Sequence, residues 1–299
     1  MSLNTSRLVG VARPLHERVR RSVAIALRER VAGQDNAAKA AIIWDKPGER
    51  WFIPADPIWR VHADASMFVA GIRALLLQSL HPMAMAGVAG HSGYKGDPWG
   101  RLQRTSTFLA TTTFGTAQDA EAIIEAIRAI HERVRGRAPD GRPYAASDPQ
   151  LLRWVHVAEA DSFLKTYQRY GPAALSTAEA DLYVAQSCVV ARRLGVIDPP
   201  TTVAALNAAI QSYRPELEGT AAARDAARFL LLHPPLPWIA RPGYGALAGA
   251  GVALLPSWAR QLLALPYLPL ADASIALPLG GAATRLIRWA LRQPHEPQH

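Results

Sequence analysis

Apolar residues recur every three or four positions through most of this chain, the spacing of helices that turn one face inward. Residues 14–32 carry Val19, Val23, Ala26 and Leu27 at that spacing and predict a helix. Residues 33–57 predict a polar connection, packed on the body because Trp51, Phe52 and Trp59 would be wasted in a solvated linker. From His62 to Ala89 the pattern is almost continuously apolar, which belongs to a helix at the centre of a protein, ended or kinked by Pro82. Asp97 and Pro98 have the form of an N-cap and first helical residue. The helix they open carries Arg101, Arg104, Thr105, Phe108 and Leu109 and stops near Phe114-Gly115. Thr116 or a neighbour caps the next, whose apolar stripe holds Ala120, Ile123, Ile124, Ile127, Ile130, His131 and Val134, with Gly136 closing it.

Residues 137–149 are turn-rich, and Ser147-Asp148-Pro149 opens another helix. Further helices are predicted over 176–194, 201–212 and 220–233, with pieces near 257–264 and 281–292 in a proline-punctuated tail. There is no sustained period-two run and no internal repeat. The pattern therefore predicts an all-α fold, as one domain rather than two.

Composition narrows the function classes. At 299 residues, with 49 % hydrophobic and 19 % charged residues, the chain can bury a large core and is not a disordered polymer. The charge of +9 comes from arginine, with lysine only at Lys39, Lys46, Lys95 and Lys165. These cations are scattered through helices without a dense basic run or a nucleic-acid motif, so no nucleic-acid partner is expected. The single Cys188 excludes an internal disulfide or thiolate cluster. Residues 1–33 lack the apolar core and cleavage site of a secretory signal, which makes a cytoplasmic location the expectation. The apolar tail 244–279 is interrupted by Pro256, Arg260, Pro266, Pro269 and Asp272, so it offers no clean span of about 20 residues. It reads either as short helices covering the core or as a membrane-docking surface flanked by Arg285, Arg288 and Arg292.

Two sets of side chains carry candidate chemistry. Arg101 and Thr105 are four apart and share a helix face that Arg104 borders, an arrangement suited to a carboxylate or phosphate and equally to a solvated helix surface. Arg128 and His131 are three apart in an apolar stripe, where the imidazole is either a core histidine bonded to a carbonyl or a single nitrogen ligand. No second ligand stands at zinc spacing. A lone nitrogen suits haem iron, since the porphyrin supplies the other four. His81, Tyr144 and His156 could be ligand contacts, but a helix-end histidine bonded to backbone, a tyrosine anchoring its own loop and a satisfied core histidine are the simpler readings. Asp161 and Ser162 with His156 lack the Gly-x-Ser-x-Gly elbow of a hydrolase.

An ordered set of motifs then points to a family. Leu77-Gln78-Ser79-Leu80-His81-Pro82, His91-Ser92, Asp97-Pro98-Trp99-Gly100-Arg101-Leu102-Gln103-Arg104-Thr105, Thr113-Phe114-Gly115, Arg128-Ala129-Ile130-His131, Tyr144, Asp148-Pro149 and Leu152-Arg153-Trp154-Val155-His156 resemble the MpaB oxygenase family. That family is related to latex-clearing protein, the b-type haem dioxygenase that cleaves polyisoprene. The similarity spans about residues 45–235. It implies a multi-helix domain of the latex-clearing-protein type, haem b as cofactor, His131 as proximal iron ligand, and Arg101, Thr105 and Arg128 among the haem contacts. Arg104 stands where latex-clearing protein has a distal lysine, and arginine stays protonated and ligates poorly. The resemblance thus implies an iron without that ligand, with Arg104 polarising oxygen or pairing a propionate.

The expected organisation is an N-terminal helix and connection over 1–44, a haem-binding core over 45–235, and a helical tail over 236–299 packed on it. The expected function is oxidation of an apolar, isoprenoid-like small molecule by dioxygen, with peripheral membrane contact allowed by the tail. The alternative is a haem or apolar-ligand carrier or sensor without turnover. The slot for the cofactor is expected among Leu76, Leu80, Met83 and the Ala/Gly segment that follows.

Overall fold

The computed structural model describes residues 17, 20, 22–27, 29–30, 33, 35–91 and 96–291, and is an all-α assembly with one small hairpin among them. Helix Met67–Gln78 lies at its centre, with Val69, Ala70, Ile72, Arg73, Ala74, Leu76 and Leu77 all buried, as an all-round apolar pattern requires. It packs along the longest helix, Pro149–Tyr170, against Trp154 and Ala158. The Trp154 indole donates to the Gln78 carbonyl at 3.1 Å, satisfying one of the orphan acceptors at that helix end.

The apolar stretch is broken at Pro82, as expected, and also at Asp64, which was not. Pro57–Ala63 and Met67–Gln78 are separated at Asp64, and Met67–Gln78 and Pro82–His91 meet at a bend of 108°. Asp64 causes the first break: its carboxylate accepts from the Ser66 amide at 2.8 Å and pairs with Arg288 at 2.8 and 2.9 Å. Proline at position 82 causes the second, since its ring cannot continue the preceding turn.

Several local signals are satisfied as read. Asp97, Thr116 and Asp148 each accept a backbone amide at the start of their helices, and Ser176, read only as the start of a helix, does so too and forms a full capping box with Glu179. Three elements differ from expectation. The 33–57 connection contains helix Asn36–Trp44, whose Trp44 stacks on Phe114 at 4.5 Å and meets Trp59 edge-on at 5.6 Å. Gly136 does not close a helix; Ala117–His131 ends earlier, and Gly136 sits in strand Arg135–Arg137, paired with Tyr144 of strand Pro143–Ala145. A Cβ there would lie 2.7 Å from the Tyr144 hydroxyl, so the aromatic side chain requires glycine opposite it. Finally, the tail read as short helices covering the core or as a membrane-docking surface holds a 13-residue helix, Arg241–Ala253, ahead of the pieces placed near 257–264 and 281–292, with Gly280 of Leu277–Leu291 seated against its Ala250. Of the helix expected over 14–32, residues 22–27 and 29–30 are helical and the remainder lies largely outside the described residues.

One buried ion pair locks these layers. Arg73 places its guanidinium 2.7 Å from Asp161, donates to Ser162 Oγ at 2.6 Å, and donates to the Leu254 carbonyl at 3.0 Å. Lys165 reaches the other Asp161 oxygen at 2.8 Å. Removing one partner of such a pair leaves an uncompensated buried charge. Asp161→Ala should therefore cost about 3–5 kcal/mol in urea denaturation, whereas the apolar double replacement Arg73→Met with Asp161→Leu should recover most of it. A single-variant loss below about 1 kcal/mol would show that the pair is dispensable.

Candidate functional site

Helices Pro98–Phe114 and Ala117–His131 form a helical hairpin that turns at Gly115. Because the chain reverses there, the start of the first helix and the end of the second come to the same end of the hairpin. Arg101, Arg104 and Thr105, near the start of the first helix, and Arg128 and His131, in the last turn of the second, therefore lie toward the same end of the hairpin. Thr105 and Arg128 are exposed, and Arg101 is half-buried. Arg104 lies 3.2 Å from Asp97, and both are well exposed. The Gly100 amide, then Arg104, holds the Asp97 carboxyl below the usual carboxylate range. Two cations at one hairpin end, Arg104 and Arg128, face solvent without a buried protein anion, which leaves them able to meet an anionic group.

His131 differs from these neighbours. It is half-buried, and its Nδ1 is enclosed without a hydrogen-bond partner. Burial pushes its pKa down, with the Glu132 charge opposing, so the ring is neutral at physiological pH. A neutral imidazole is the form that binds a metal. The carbonyl to which a core histidine would be bonded is absent among the described residues. No group of three or more His, Cys, Asp or Glu among the described residues is arranged to hold a metal ion, so any metal here would need most of its ligands from a cofactor.

Other candidates take structural places. His81 is buried against Trp154 and Tyr213, with ring centroids 6.4 and 6.3 Å away and Glu216 at 3.5 Å; it makes no bond to backbone through Nδ1. The Tyr144 hydroxyl meets His91 Nδ1 at 3.3 Å. Asp161 and Ser162 are both engaged by Arg73, which removes them from any hydrolytic set. Leu76 and Leu80 are in the close-packed core, and the Ala/Gly segment after Pro82 lies against the Tyr144 ring, 3.7 Å from where a Gly87 Cβ would be.

A second polar cluster was not singled out by sequence reasoning. His62 of Pro57–Ala63 sits where three other helices converge: its Nδ1 is 2.8 Å from Thr113 Oγ1, and its ring meets Phe163 and Tyr183 edge-on at 5.5 and 6.0 Å. Its Nε2 is enclosed and unpartnered, and burial pushes its pKa down to about 3. Glu159 precedes Phe163 by one turn on the same helix face. It makes no hydrogen bond or ion pair among the described residues, and burial pushes its carboxyl up to about 7. Tyr183 is raised well above the ordinary phenol value by burial, then by Glu159 and Asp161. His156, nearby on the Glu159 helix, has an enclosed unpartnered Nε2 and a pKa near 4, from burial and then from Arg153 and Arg192. The legible signal was a lone carboxylate within the stripe Leu152, Val155, Glu159, Phe163.

Comparison with known proteins places this geometry in context. A family model described as ER-bound oxygenase mpaB/B'/Rubber oxygenase, catalytic domain, matches residues 59–292, more than half of the chain. No curated protein and no solved structure matches it.

Glu159 gives the cluster a measurable signature. Its folded pKa of about 7 lies above the 4.5 of a free glutamate, so the folded state holds its proton more tightly than the unfolded chain. Stability from this group is complete below pH about 4.5 and is lost as pH rises to about 7. Glu159→Gln should then be more stable than wild type at pH 8 by up to about 3 kcal/mol, with little difference at pH 5. Urea titrations at the two pH values test this, and a difference independent of pH would contradict it.

Proposed function

This chain belongs to the mpaB/B' and rubber oxygenase catalytic-domain family, and from that premise we propose that it is a haem b-dependent oxygenase acting on an apolar small molecule. The observation that carries the reading is His131: a neutral imidazole with an enclosed, unpartnered nitrogen, at the hairpin end where the arginines gather. These residues fit the group. A porphyrin supplies four iron ligands and needs one axial nitrogen, and its propionates need cations. His131 would hold the iron, while Arg101, Thr105 and Arg128 would hold the periphery. Haem, when bound, supplies the iron chemistry that activates dioxygen.

The chain's own residues bind, orient and exclude water. Asp97 anchors the start of the first hairpin helix through the Gly100 amide at 2.8 Å and steadies Arg104, which keeps a fixed positive charge at the site. Thr116 caps the second helix, and its partner Asp119 is tied to Lys46 at 2.6 Å, so the helix ending in His131 is held at its start. The cofactor-holding part lies within residues 45–235, and the described helices of residues 236–291 pack on it. A carrier or sensor on the same site would bind haem without substrate-dependent oxygen consumption.

Absorption spectra as isolated and after dithionite test the reading. Wild type should show a Soret band that shifts on reduction, and His131→Ala should lose it or change its coordination. Haem-reconstituted wild type without a Soret band would overturn the proposal. Arg104→Lys adds a nitrogen that can lose its proton. Its Soret band should move as pH rises, and a spectrum identical to wild type at every pH would remove residue 104 from the iron's surroundings.

A membrane surface is the second partner we propose. No single described helix is long and apolar enough to cross a bilayer. The C-terminal region instead exposes Trp238, Ile239, Tyr267, Leu268, Leu270 and Ile275, with Leu270 85 % and Trp238 80 % accessible. Between residues 226 and 291 the only acid is Asp272, already bonded to buried Arg260 at 2.7 Å, whereas Arg241 and Arg285 are exposed. Apolar side chains with arginines and no free acid suit an anionic lipid surface. Arg288, expected to contribute, is committed to Asp64, and Arg292 lies outside the described residues. The double variant Trp238→Glu with Leu270→Glu should reduce co-sedimentation with vesicles containing phosphatidylserine by about tenfold or more. Unchanged sedimentation would exclude this face.

A further inference from the structure

We propose that Glu159 and Tyr183, with His62 beside them, form an internal recognition point for a neutral oxygen on the ligand, so that the substrate is an apolar molecule carrying a hydroxyl or carbonyl rather than a plain hydrocarbon. The inference rests on the oxygenase reading only in calling that ligand a substrate.

Buried polar groups are nearly always hydrogen-bonded, and a cluster of unsatisfied ones needs an explanation. Here one such atom, Nε2 of His62, stands with two further polar groups that converge from separate helices. Glu159 comes from Pro149–Tyr170, Tyr183 from Thr177–Leu194, and His62 from Pro57–Ala63, and neither the carboxyl nor the phenol makes a hydrogen bond among the described residues. His62 is oriented by Thr113 through Nδ1, which leaves Nε2 aimed where nothing meets it.

The surroundings indicate a hollow rather than a tight core. On helix Pro149–Tyr170, Trp154, Val157, Ala158, Asp161 and Ser162 are fully buried on one side, whereas Val155, His156 and Glu159 on the other keep part of their surface. On the facing helix, Gln186, Ser187 and Val190 do the same along the face of Tyr183. Protein nevertheless surrounds these groups closely enough that burial alone drives the shifts of His62 and Glu159. A partly open wall inside a crowded environment is the form of a ligand chamber.

The chemistry of the three groups defines the ligand. A carboxyl that keeps its proton near neutrality and a phenol both donate, and the neutral imidazole can accept through its unprotonated nitrogen. Among the described residues no cation shifts His62 or Glu159: Asp161 points to Arg73 and Lys165 on the far side of the helix, and His156 is neutral. An anionic ligand would find only donors without charge and a carboxyl opposed to it. A neutral alcohol or ketone on a hydrocarbon frame satisfies the donors and fills the apolar remainder.

Calorimetric titration of the full-length protein with menthol, menthone and p-menthane tests this, since the three share a skeleton and differ in the oxygen. Wild type should bind menthol and menthone at least about tenfold more tightly than p-menthane, the order of one good hydrogen bond. Glu159→Leu and Tyr183→Phe should each bring that ratio below about threefold without weakening p-menthane, and Glu159→Gln should keep most of it. The infrared carbonyl band of the protonated carboxyl, assigned by its loss in Glu159→Gln, should shift when menthol is added, which a purely structural glutamate would not show. Equal affinity for p-menthane, no binding of menthol, or a ratio preserved in Glu159→Leu would overturn the proposal. Soret spectra of the same samples separate the two readings: a missing ratio with the band present retires only the recognition point, and a ratio present without the band retires only the haem.

Discussion

The desolvated guanidinium of Arg73 is the constraint around which this bundle is arranged. A fully buried cation has to meet a carboxylate and further acceptors, and Arg73 finds them in Asp161, Ser162 and the Leu254 carbonyl. The cation belongs to the central helix, and its partners belong to that helix's longest neighbour, Pro149–Tyr170, and to the segment that leaves helix Arg241–Ala253. The rotation of Pro149–Tyr170 about its own axis is thereby set. With Asp161 turned toward Arg73, Glu159 and Phe163 must present themselves to the opposite side, where His62 and Tyr183 stand. Two acids two residues apart on one helix thus have different fates. Asp161 is neutralised by two cations, and Glu159 has none and retains its proton toward neutrality.

How much could be read in advance follows from how local each determinant is. Asp97, Thr116, Asp148 and Ser176 could be recognised at the starts of helices because the amide each accepts lies two or three residues ahead. The all-apolar pattern of Met67–Gln78 likewise announced a central helix. Helix Asn36–Trp44 could not be read this way, because its place depends on Trp44 reaching Phe114, seventy residues on. The strand at Gly136 depends on Tyr144, and the break at Asp64 on Arg288. Each missed feature has a decisive partner far along the chain.

The same distinction separates the two polar regions. The hairpin residues Arg101, Arg104, Thr105, Arg128 and His131 are paired by helical spacing and were visible as sets, and the family resemblance gave those sets a meaning. His62, Glu159 and Tyr183 come from three separate helices, and nothing in their spacing joins them. Only the convergence of Thr113, Phe163 and Tyr183 around the His62 ring brings them together. A lone glutamate in an apolar stripe looks like an ordinary surface position until the neighbouring helices are in place.

The C-terminal helices show that one element can serve the core and an outer surface at once. Their inner faces are already satisfied: Gly280 lies against Ala250, the Tyr170 hydroxyl donates to the Leu277 carbonyl, and Leu247 and Ile287 join the cluster around Val69 and Leu76. Core packing therefore does not account for Trp238, Ile239 or Leu270 on the outside. Large apolar side chains at such exposure are costly in water unless something covers them, and scattered examples would be ordinary. Between residues 226 and 291 they accompany exposed Arg241 and Arg285, with no acid but the paired Asp272, and the proposed lipid contact rests on that composition. An apolar substrate partitions into lipid as well. An enzyme that rests on a bilayer meets such a substrate where it is concentrated, and a polar point inside the bundle can then select the oxygenated molecules among those the lipid delivers.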